Sequence, residues 1–134
     1  MIKSKFQMLD NSVKEFTIQQ KERMSPTINY KINMNVSFKI LKIEEEKEKK
    51  RALVELTEII KAQNNEKEVA IINCIMNGIF EVDSSISKDD FVKMLNINGV
   101  AVLFQFSRTY IYSATSLGGM PPITIPLIDF TEQE

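Results

Sequence analysis

Asn98-Gly-Val-Ala-Val-Leu-Phe-Gln-Phe-Ser-Arg-Thr-Tyr-Ile-Tyr-Ser-Ala-Thr-Ser-Leu-Gly-Gly-Met-Pro-Pro122 reads as a helix with apolar residues on two faces, cut off by paired glycines and paired prolines. Leu103, Phe106, Tyr110, Ala114 and Leu117 recur at helical spacing and form one stripe. Val100, Phe104, Ile111 and Thr115 form a second, weaker stripe to one side of it. Gln105, Arg108, Thr109, Tyr112, Ser113 and Ser116 are left to meet water. A surface helix needs one apolar face, so a helix with two is expected to be sandwiched. In so short a chain the second partner is expected to be another copy of the protein.

Working back from that helix, Ser87-Lys-Asp-Asp-Phe-Val-Lys-Met-Leu95 opens on a serine cap and two first-turn acids, which predicts a short helix. Before it, residues 68–82 read as extended. Ala70, Ile72, Cys74, Met76, Gly78, Phe80 and Val82 share one face, and Val69, Ile71, Ile75 and Ile79 share the other. A strand apolar on both faces is expected to be covered on both sides. Residues 51–62 fit a helix through Leu53, Leu56, Ile59 and Ile60, and fit a strand nearly as well through Ala52, Val54, Leu56, Glu58 and Ile60. The Asn64-Asn65 turn signal and the strand that follows favour a hairpin, so this segment is assigned as a strand. Further back, Ile28, Tyr30, Ile32, Met34, Val36, Phe38 and Ile40 alternate with polar residues at period two. The phase slips at Ile40-Leu41, which suits a bulge or a strand end. Glu44-Glu-Glu-Lys-Glu-Lys-Lys-Arg51 mixes both signs and reads as a solvated connection between strands. The expected order is strand, crossover, three meandering strands, short helix, long helix and extended tail, an α+β arrangement in one domain over residues 1–134. Both termini are polar enough to fray.

Composition narrows the chemistry. With 134 residues and 43% hydrophobic content the chain can bury one core. A formal net charge of -1 gives no field that favours nucleic acid or anionic lipid. The absence of histidine removes His-based acid–base catalysis, Ser-His-Asp and Cys-His systems, and nearly every zinc arrangement. The single cysteine, Cys74, lies in an apolar run and reads as a buried inert thiol, and a lone cysteine fits a reducing cytoplasm. Met1-Ile-Lys-Ser-Lys-Phe6 has charge but no following apolar core of a signal sequence. The longest apolar run in the last helix, Val100 to Phe104, falls far short of the ~20 residues a membrane span requires, so a soluble cytoplasmic protein is expected.

No enzyme, cofactor or metal site is expected. The carboxylates cluster in exposed charged runs, Gly118-Gly119 follows a helix instead of preceding one, and Asp89-Asp90 are ordinary first-turn acids. What remains is apolar surface in excess. Met24, Met34, Met76, Met94 and Met120 accompany Phe16, Tyr30, Phe38 and Phe80. Most of these belong to a core, but surfaces rich in methionine also suit partners of variable sequence.

Four pieces of the chain, in order and at matching spacing, resemble the bacterial SecB export chaperone family. They are Phe6-Gln7-Met8 with Lys14-Glu15-Phe16-Thr17-Ile18-Gln19; Asn77-Gly78-Ile79-Phe80; Leu103-Phe104-Gln105-Phe106-Ser107-Arg108; and Met120-Pro121-Pro122-Ile123-Thr124-Ile125, ending at Asp129-Phe130. The resemblance implies a four-stranded antiparallel sheet packed against one long C-terminal helix, plus the short helix, assembled as a dimer of dimers with the helices sandwiched between pairs. The oligomer interface would then use Leu103, Phe106, Tyr110, Ala114 and Leu117. It also implies an ATP-independent holdase for unfolded or preprotein chains, with apolar grooves drawing on Phe16, Ile18, Met24, Tyr30, Ile32 and Met34. Some relatives instead serve one antitoxin. The surface that docks the SecA motor would include Glu15 and Ile71. That surface is acidic in the family, whereas Gln19 and Asn73 stand here where it has glutamates, which argues against SecA docking. The family also continues past the position of Phe130 into another helix that helps wall the groove, so a more open or differently covered groove is expected. A small-molecule-binding, hotdog-like domain is the reading from a different class. That fold places its helix before most strands, and here the long helix follows them.

Overall fold

The computed structural model describes residues 6–126; Met1 to Lys5 and the tail positions Asp129 and Phe130 lie outside it. Four strands, β1 (Gln7–Gln20), β2 (Lys31–Glu46), β3 (Lys49–Asn64) and β4 (Lys67–Asp83), form an antiparallel sheet in the order β1-β4-β3-β2. Helix α1 (Lys88–Met94) runs through a π-helical turn (Leu95–Gly99) into α2 (Val100–Leu117). The expected α+β architecture, a four-stranded antiparallel sheet with one long C-terminal helix, is the one observed.

Residues 51–62 lie within β3, paired with β2 on one side and β4 on the other. The alternation of β2 holds up to a bulge between Ile40 and Lys42, where the sequence phase slips. The charged run is not a loop. Glu44, Glu45 and Glu46 lie opposite Arg51, Lys50 and Lys49, so opposite charges face each other across the ladder and extend it. Only Lys47 and Glu48 turn, both at positive φ (48° and 65°). Asn65 and Glu66 make the β3–β4 turn the same way, at 50° and 67°. These are the left-handed two-residue turns whose twist matches that of antiparallel strands.

One face of the sheet carries the core. Ala52, Val54, Leu56, Ile60 and Ala62 of β3 and Ala70, Ile72, Cys74, Met76, Phe80 and Val82 of β4 are buried there. Over them α2 places Val100, Leu103, Phe104 and Ile111, all buried. Gly78 makes room for that crossing, since a methyl group built on it would lie 3.0 Å from a Leu103 methyl carbon. The crossover between β1 and β2 adds Met24 to the same core. The C-terminal end of α2, at Gly118 and Gly119, borders a shallow cleft with Gln20, Glu22 and Arg23.

The short helix is joined to the long one, not separate from it. Ser87 caps α1 by accepting from the Asp90 N–H (3.1 Å), and Phe91 and Leu95 are buried. The Lys50 ammonium donates to the carbonyls of Ser84 (2.6 Å) and Ile86 (2.7 Å) and pins the entry to α1. The π turn lets Gly99 pass close to the Phe80 ring, with ring carbons 3.6 Å from the position a Cβ would take. After α2 the chain doubles back. The Ile123 N–H donates to the Thr115 hydroxyl (3.0 Å), and the Arg108 Nε–H donates to the Ile125 carbonyl (2.7 Å).

The other face of β4 is not covered as expected. Val69 is buried in the core where the β3–β4 register shifts at Ala62 and Gln63, whereas Ile71, Ile75 and Ile79 stay half-buried. The Lys14–Glu55 (3.0 Å) and Arg51–Glu81 (2.7 Å) ion pairs lie on this face beside the isoleucine row.

Candidate functional site

Strand register arranges the core face in rungs that cross all four strands. Ile18, Ile72, Ile60 and Met34 make one rung; Phe16, Cys74, Glu58 and Val36 make the next. Helix α2 lies over the two inner positions of each rung and leaves the outer ones half-exposed. The result is an apolar strip on each side of the helix. Met8, Val13, Phe16 and Ile18 form the β1 strip; Met34, Val36, Phe38, Ile40 and Ile43 form the β2 strip.

The six expected groove residues therefore do not meet in one groove. Phe16 and Ile18 lie in the β1 strip, while Ile32 and Met34 lie in or beside the β2 strip, with α2 between. Tyr30 leads into β2 and accepts from the Ser25 N–H through its hydroxyl (2.7 Å). Met24 is buried in the core.

The expected oligomer stripe divides as well. Phe106, Tyr110 and Leu117 are exposed, Leu117 at 89%, and Ala114 is half-buried. Leu103, on the side of that stripe nearest the sheet, is fully buried against Gly78. The weaker stripe, Val100, Phe104, Ile111 and Thr115, packs on the sheet. Tyr110 links the two sets, because the Phe16 ring meets it edge-on at 4.9 Å. The returning tail occupies the opposite flank of α2, where it buries Ile123 and Ile125. Glu15 and Ile71 lie on the other face of the sheet with Gln19 and Asn73. Asn73 is engaged there with its neighbour, its side-chain amide donating to the Thr17 hydroxyl (3.2 Å).

Two buried groups have perturbed ionisation. Burial, with the Glu58 carboxyl nearby, pushes the Cys74 thiol up to about 12, so it stays protonated and unreactive. Glu58 corrects the reading that carboxylates are confined to exposed runs. It is 0% exposed. Burial pushes it up to about 7 against the opposing effect of the Ser107 hydroxyl bond. Its place in the β3 alternation, between Leu56 and Ile60 on the inward face, was the available signal. Among the described residues no cluster of potential metal ligands occurs, and no helix is long and apolar enough to cross a membrane.

Residues 3–133 match the model of the SecB family, preprotein translocase subunit SecB. The chain is 30% identical over 107 residues to the protein-export protein SecB of Orientia tsutsugamushi strain Boryong, covering 80% of this chain and 62% of that protein. It is 27% identical over 125 residues to the protein of the same name from Anaplasma phagocytophilum, covering 90% and 78%. The chain thus spans under two thirds of the length of the Orientia relative. Its fold is similar, with a TM-score of 0.70 and 15% identity over 92% of this chain and 91% of the other, to a Mycobacterium tuberculosis SecB-like chaperone solved with a peptide from the HigA1 antitoxin.

Proposed function

We propose that this chain, which belongs to the SecB family, is an ATP-independent holdase that captures unfolded or preprotein chains on the apolar strips beside α2. The observation that carries this reading is the pair of half-exposed apolar rows flanking one helix, bridged to its outer stripe by Phe16 and Tyr110. Each apolar anchor a client buries contributes about 1.5–3 kcal/mol before ordering costs, so one strip alone binds weakly. Several strips on one oligomer engage a long chain together, which raises avidity by roughly 10²–10⁴ without new contacts. A folded client hides its anchors, so selectivity needs no sequence readout. Assembly as a dimer of dimers through Phe106, Tyr110, Ala114 and Leu117 would supply the multiplicity and cover the outer stripe of α2. SecA docking is no part of this reading, because the face bearing Glu15 and Ile71 is lined by isoleucines and ion pairs already closed on themselves.

The test is light scattering from an aggregating, chemically unfolded client with stoichiometric protein, beside the same client in native form. Suppression confined to the unfolded client is expected. No suppression by a folded oligomer would overturn the general holdase. It would favour the second reading, a chaperone dedicated to one partner such as an antitoxin, which draws its support from the mycobacterial fold neighbour.

A further inference from the structure

Glu58 lies at the centre of the layer between sheet and helix, in the same rung as Phe16. Its Oε1 is 2.8 Å from the Ser107 hydroxyl of α2, and its Oε2 has no hydrogen-bond partner. The Ser107 oxygen is also 2.8 Å from the Phe104 carbonyl. A hydroxyl has one proton, and a carbonyl can only accept. A single hydroxyl proton shared between the Phe104 carbonyl and Glu58 Oε1 serves neither fully, whereas a neutral Glu58 that donates to Ser107 while Ser107 donates to Phe104 satisfies both contacts. An ionised Glu58 would take that proton and still leave an oxygen bare in an apolar layer.

No charge compensates from any side. Across β4 the facing group is Cys74, held as a thiol; across β2 it is Val36, flanked by Met34 and Phe38. On α2 the nearest cation, Arg108, is turned away to the Ile125 carbonyl and Gln105. The tail adds Ile123 and Ile125. Of the charges of β3 itself, Glu55 and Lys61 point to the other face, and Lys50 on the inner face is engaged far away by the Ser84 and Ile86 carbonyls.

We propose that Glu58 and Ser107 form a proton-operated latch between β3 and α2, closed when the Glu58 carboxyl is neutral and loosened when it ionises. The latch controls how firmly α2 sits over β3 and β4, and with it the separation of the two apolar strips, whatever those strips bind. The position of the switch follows from burial, which places the titration near neutrality.

Two readouts test it on the intact protein. Infrared difference spectra should show a protonated carboxylic acid band that titrates with a midpoint at about 7 and is missing in Glu58→Gln. Hydrogen exchange of α2 amides, taken as the ratio of wild type to Glu58→Gln at each pH, should be near one at pH 4.5 and exceed about tenfold above pH 7. Glu58→Met is a second neutral variant, without a polar head for the core to satisfy, and should behave as Glu58→Gln does should that variant fold poorly. Absence of the band, its persistence in both variants, or an exchange ratio that does not change with pH would overturn the latch.

Discussion

At the scale of single residues, Gly78 and Leu103 show how close the helix comes to the sheet. A methyl group on Gly78 would sit 3.0 and 3.2 Å from the two Leu103 methyls and 3.1 Å from the Phe80 ring. Gly78→Ala should therefore destabilise the fold by about 1–3 kcal/mol, read from the urea midpoint, through overpacking and not through backbone strain. Glu58 makes a different prediction. Its folded value, about 7, lies above the ordinary 4.5, so the native state holds a proton that the unfolded state has released between those pH values. Its contribution to stability is full below pH 4.5, falls as pH rises, and is gone above about 7. Equilibrium unfolding followed across that range should show a loss on the order of 3 kcal/mol that Glu58→Gln abolishes. Neither residue's role could be read from its spacing. Leu103 fits either stripe of α2, and only the glycine opposite it decides for the core. Glu58 was visible as one acid among alternating inward residues, but alternation alone cannot tell a buried acid from an edge position.

At the scale of elements, β2 is the most legible strand, because period-two alternation depends only on the two faces of a strand and needs no knowledge of neighbours. The charged run reads as a solvated connection only for want of pairing information. Glu44-Glu-Glu46 and Lys49-Lys-Arg51 mirror each other in sign about Lys47-Glu48, a hairpin signature that composition hides. The turn itself is held at a cost. Lys47 and Glu48 both adopt left-handed φ without being glycine. Glu48→Gly should raise the thermal midpoint, with a net gain of about 0.5–1 kcal/mol after the added flexibility of the unfolded chain is counted. The expected second cover on β4 failed for a related reason. Three isoleucines on a face predict a partner, but they stand half-buried in a row flanked by charged pairs of the same face.

At the scale of the whole molecule, the two stripes of α2 divide between the protein's own core and the outside. The inner stripe is accounted for by the sheet, and the outer one, ending in the almost wholly exposed Leu117, is not. If copies assemble through it, Phe106→Asp with Leu117→Asp should shift light-scattering mass to a smaller species by weakening association at least about tenfold per anchor, while circular dichroism stays unchanged. Sheet order has a separate consequence, for the time course of folding. β2, β3 and β4 are joined by two-residue turns and can zip in sequence, whereas β1 must close a loop around both hairpins before it finds β4. Of these four strands, the first to be synthesised is thus the last to be placed. Until residue 83 has been made, Met8, Val13, Phe16 and Ile18 have no sheet to join, and the nascent chain displays the same kind of apolar segment that its finished form would shelter in others.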